Sequence, residues 1–124
     1  MTTTTVKEQI TKAIAAHGLW KGRLRQAVQT RSSELNVESV SRDNNCEFGK
    51  WLQANPAFAA QWPQHYRNAC RLHTEFHREV GRVLQMALSG NRQEAEKQLA
   101  PGTPYSQLSS SLTNEMMAWA GELR

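Results

Sequence analysis

In the stretch "HTEFHREV", His73 and His77 stand four residues apart, a spacing that puts two imidazoles on one helix face about a turn from each other. The same face carries the apolar series Phe76, Val80, Val83, Leu84 and Ala87. A third imidazole, His17, falls within the helical stripe formed by Ile10, Ile14, Leu24 and Val28. Cys46 opens "CEFGKWL" directly after Asn44 and Asn45, at the expected mouth of a helix. A buried polar group without a partner costs about 1–3 kcal/mol, so a marginally stable domain needs its buried imidazoles paired. Three imidazoles and one thiolate suit tetrahedral Zn²⁺, a borderline-soft ion that needs no fifth ligand. The candidate ligands are therefore His17, Cys46, His73 and His77, holding one zinc per chain.

The long intervals between these residues exclude a zinc finger or ribbon, so separate helices must deliver the ligands. A closed set leaves no open coordination position, and no Glu stands as it does in His-Glu-x-x-His, which argues against zinc hydrolysis and for a chain that is not an enzyme. Two other readings keep the helices and change the site. In a metal-free adaptor the histidines are hydrogen-bonded in the core. A hemerythrin-like di-iron centre needs inward carboxylates, for which Glu75 and Glu79 are the candidates. Cys70, three residues before His73, is either a small core residue or a thiol that resolves an oxidised Cys46. His65 lies eight residues before His73, too far along an unbroken helix to share its ion, and is assigned to the surface.

Helix formers dominate and strand-like alternation is nearly absent, which predicts an all-α fold. The first helix is expected to start at Thr4 or Thr5 and to run to about Ser33. Residues 34–43 read as an irregular connection ending in the cap cluster Asp43-Asn44-Asn45. A short helix over about 45–54 precedes Pro56, and a long one extends from residues 56–59 to Ser89, with Pro63 interrupting or restarting it. Gly90-Asn91 caps that helix. A short helix ends at Pro101-Gly102, and the last begins after Pro104 with the stripe Leu108, Leu112, Met116 and Trp119. The expected architecture is an antiparallel four-helix bundle with one or two short additional helices, forming a single domain over 1–124.

The net charge is +4 over 124 residues, and residues 1–31 alone carry six Lys/Arg against Glu8. This basic first helix is read as a solvated face, because no basic block is interleaved with stacking aromatics; nucleic acid is not the expected partner. The opening "MTTTTVKEQI" lacks the apolar segment of a secretory leader, and no window reaches membrane-spanning length. Two cysteines are too few for a disulfide-stapled fold, which predicts a cytoplasmic, reducing setting.

The segments "HGLWKGRL", "CEFGKWL" and "HTEFHREV" together resemble the chemoreceptor zinc-binding domain, whose hallmarks are His-x-x-Trp, Cys-x-Phe/Leu-Gly-x-Trp and His-x3-His. The similarity is read over about residues 10–119. It implies a bacterial cytoplasmic helical module with one zinc on three His and one Cys, often homodimeric, regulating a chemotaxis receptor or a diguanylate cyclase in cis or in trans. On that resemblance Trp20, Phe48, Gly49 and Trp51 surround the site, the tryptophans excluding water and Gly49 admitting close helix approach. Family members that respond to hypochlorous acid make Cys46 the expected point of oxidation.

Overall fold

A computed structural model describes residues 5–30, 36–42 and 46–123. Among these residues eight helices follow one another: α1 (Val6–Gly18), α2 (Trp20–Thr30), α3 (Val37–Ser41), α4 (Glu47–Ala54), α5 (Phe58–Gln61), α6 (Pro63–Leu88), α7 (Arg92–Gln98) and α8 (Pro104–Gly121). Among the described residues there is no strand, and the chain forms an all-α helical bundle, as its composition predicts. No described helix is long and apolar enough to cross a membrane.

Thr5 caps α1, its hydroxyl accepting the Glu8 N–H at 3.1 Å. The long first helix expected from the pattern is broken at Leu19, where the Leu19 N–H turns back to the Ala16 carbonyl at 3.3 Å. Gly18 and Gly22 flank the break, and glycine is a poor helix former. The interruption falls directly after His17 and is followed by the buried Trp20. The end expected near Ser33 lies outside the described residues, as does the cap cluster at 43–45.

Within the connection expected to be irregular, residues 37–41 form the short helix α3, because the Asn36 side chain accepts the Ser39 N–H at 3.0 Å. Its single buried residue is Val40. Pro63 restarts the chain at the first position of α6, where its missing N–H and fixed φ suit a helix start. At 26 residues α6 is the longest helix; it packs most extensively on α8 and α3, and also on α2, α4, α5 and α7. The α3 contact depends on Gly81: a Cβ there would collide with the Ser41 hydroxyl and sit 2.9 Å from Ser41 Cβ. α1 packs on α8 and α4, so α6, α1 and the start of α4 converge on one interior region.

Candidate metal centre

His17 lies in the last turn of α1 and is 5 % exposed; on α6, His73 is fully buried and His77 is 1 % exposed. Cys46, half-buried, is itself the N-cap of α4: its sulfur accepts the Gly49 N–H at 3.4 Å. The thiol thus takes part in capping α4. Gly49 is buried, and its backbone N–H orients the sulfur.

The four side chains meet at one point. His73 Nε2 is 3.0 Å from His17 Nε2, 3.1 Å from His77 Nε2 and 3.1 Å from Cys46 Sγ, while Cys46 Sγ is 3.9 Å from His17 Nε2. All four candidate ligand atoms lie within 4.8 Å of one another. A tetrahedron drawn with ordinary Zn–N and Zn–S bonds has edges of about 3.3–3.6 Å, and the observed separations straddle that value.

Hydrogen bonding at the far ring nitrogens decides what these atoms offer. His17 Nδ1 donates to the Ala13 carbonyl at 2.7 Å, and His77 Nδ1 donates to the Val40 carbonyl at 2.9 Å. Carbonyl oxygens only accept, so both Nδ1 atoms carry the proton and both neutral rings present an Nε2 lone pair to the centre. A proton on His73 Nε2 can serve one of those lone pairs well and leaves the other opposed to it. A cation satisfies all of them together, and carbonyl partners on the outer nitrogens are the usual support for zinc-bound histidines. His73 Nδ1 has no hydrogen-bond partner among the described residues.

Electrostatics favour the same protonation state. Burial pushes His17 down to about 4, aided by His77 and opposed by the Ala13 hydrogen bond. Burial, then His77 and His17, push His73 down to about 2. Both rings are neutral at physiological pH, which is the form that binds metal. Aromatic rings enclose them: Phe48 lies 5.8 Å from His17 and 5.2 Å from His73, Phe76 lies 5.5 Å from His17, and Trp20 lies 6.2 Å from His77, centroid to centroid.

His17, Cys46, His73 and His77 therefore form a cluster positioned to bind one zinc ion, as the spacing predicts. Trp20 and Phe48 wall the site. Trp51 stands one layer further out, stacked 5.7 Å from Phe48 and touching Phe58 and Trp119. Cys70 is a half-buried thiol that is not part of the four-residue cluster; it sits beside the Tyr66 phenol, whose pKa is raised by burial and by that thiol. Glu75 pairs with Arg71 at 3.6 Å and Glu79 pairs with Arg82, so neither carboxylate joins the cluster as a di-iron centre would require.

The model of the family described as the chemoreceptor zinc-binding domain matches residues 17–84, more than half of the chain, beginning at His17 and taking in Cys46, His73 and His77. The chain belongs to the chemoreceptor zinc-binding domain family. The match is shorter than the span read from the sequence, stopping within α6 before α7 and α8. A comparison with curated proteins finds no match, and one with solved structures finds none.

Sequence reasoning about this zinc-binding domain missed three features. The Ala13 and Val40 carbonyls carry no side-chain signature. Gly81, inside "REVGRV", does leave a signal, since a mid-helix glycine costs about 1 kcal/mol relative to alanine and calls for a packing reason. His65, assigned to the surface, instead joins α6 to α8: Nδ1 bonds Glu115 at 2.6 Å and Nε2 bonds Glu122 at 3.0 Å.

Proposed function

We propose that the chain holds one zinc through His17, Cys46, His73 and His77 as a regulatory element, and that occupancy is passed to a signalling output. The observation that carries this reading is the convergence of four ligand atoms from three separate elements, α1, the α4 cap and α6, within 4.8 Å. Bound zinc would supply a crosslink among those elements rather than an open catalytic position. Without it, the two Nε2 lone pairs and the Cys46 sulfur lose their common partner, so the chain has two packing states of different stability. The output in this reading is a chemotaxis receptor or a diguanylate cyclase, in cis or in trans, in the cytoplasm, with the domain acting as a homodimer and performing no catalysis itself.

Cys46 is also the redox handle of this reading. Hypochlorous acid converts a thiolate to a sulfenic acid with loss of chloride; the Cys70 thiol would then condense with it to a disulfide and release water. A Cys46→Ala chain that answers the oxidant as the parent does would remove this part.

The deciding experiment is zinc per chain in the purified protein beside a His73→Ala/His77→Ala variant. About one zinc in the parent and loss in the variant is the expected result. A folded parent that ignores added zinc would return the histidines to a metal-free helical adaptor.

A further inference from the structure

A cleft of about 280 Å³ opens between α1, α2 and the start of α4, and both Cys46 and His17 line it. The three imidazoles are at most 5 % exposed, whereas Cys46 is half-buried. A visitor entering this cleft therefore meets the sulfur before the two α6 histidines. The described lining carries Lys12 and Arg23 against one carboxylate, Glu47. The Arg23 guanidinium lies 5.0 Å over the ring of Trp20, which also lines the cleft. Such a mouth repels a free divalent cation and attracts a small anion, and a cleft with low-dielectric walls strengthens the preference.

We propose that this cleft is the exchange route of the zinc site and that it selects small anionic thiols. This rests on the zinc-holding function above. Thiolate sulfur competes with Cys46 for a borderline-soft ion where oxygen donors compete poorly. The exchange would be redox-neutral: an incoming sulfur would replace that of Cys46, its proton would end on Cys46 Sγ, and the proton of a second incoming thiol would pass to water. Lys12 and Arg23 raise the local concentration of the anion, and Glu47 opposes them.

The test compares two vicinal dithiols that differ in charge, dimercaptosuccinate and neutral dimercaptopropanol, as zinc acceptors from the zinc-loaded full chain. Zinc per chain is measured first; a chain that takes up none overturns the zinc-holding function and this inference together. With a loaded chain, the transfer rate is expected to rise with thiol concentration. Lys12→Glu should slow transfer to dimercaptosuccinate by about three- to tenfold at low salt, and Glu47→Gln should speed it, both effects fading at high salt. Transfer to dimercaptopropanol and the zinc content should not change. A rate independent of thiol concentration, or variants that shift both acceptors equally or neither, overturns the exchange route and leaves the zinc-holding function standing.

Discussion

His73 is fully buried, its Nδ1 has no partner among the described residues, and its Nε2 faces two other imidazole nitrogens and a sulfur. In a metal-free core that residue is a liability of about 1–3 kcal/mol, the usual penalty for an unsatisfied buried polar group. His73→Leu should therefore stabilise the zinc-free chain in urea unfolding while abolishing tight zinc binding in a titration. A substitution that destabilises the zinc-free chain would show that His73 belongs to a satisfied polar network instead. Cys46 is tested separately: Cys46→Ser keeps a capping oxygen for the Gly49 N–H but replaces soft sulfur with a weaker donor. Zinc affinity should fall by at least about tenfold while the helical signal of the apo chain is kept. The four ligand candidates were legible in the sequence because imidazoles and thiols at core positions are chemically conspicuous. The carbonyls that set the His17 and His77 tautomers were not, because every residue has one and only the fold selects which is used.

At the scale of elements, α3 couples the site to the rest of the bundle. It has five residues and one buried side chain, so its hold on α6 rests on the close approach at Gly81, on Val40, and on the His77–Val40 hydrogen bond. Gly81→Ala gains about 1 kcal/mol in helix propensity. The new Cβ collides with Ser41, however, and overpacking of that kind costs about 1–3 kcal/mol, so destabilisation should win. Moving α3 also moves the Val40 carbonyl, and loss of such outer support typically weakens metal binding by about 10–100-fold. Ser41→Gly removes the atoms in the way, so the double variant should recover affinity that Gly81→Ala loses; a double-variant cycle with purely additive losses would exclude the steric explanation. The sequence placed the strongly periodic helices well. It missed the break at Leu19 and the existence of α3, because both depend on local turns and packing that apolar periodicity does not encode.

For the whole molecule, three histidines with opposed shifts shape stability against pH. His17 and His73 have folded pKa values lowered to about 4 and about 2 from 6.5. The unfolded chain therefore binds more protons than the folded one below about 6.5, and the stability these residues contribute above that pH is lost as the pH falls toward 4. His65 has the opposite sign: hydrogen bonds to Glu122 and Glu115 raise its pKa. Its contribution is complete below 6.5 and is lost as the pH rises through the raised value. Its ring lies parallel to that of buried Trp119, 6.4 Å away, so the bridge ties the start of α6 to the end of α8 over an aromatic cluster that reaches Trp51. Urea midpoints of the zinc-free chain measured from pH 4 to pH 9 should show both an acid and an alkaline decline. His65→Gln should flatten the alkaline decline and leave the acid one, because Gln neither titrates nor gains from the two carboxylates. Saturating zinc should raise the whole profile at neutral pH, by about 2.7 kcal/mol when free zinc is one hundred times Kd. That gain should shrink toward pH 4 as protons compete for the same nitrogens and sulfur. An alkaline decline that persists in His65→Gln would place its origin elsewhere than the α6–α8 bridge.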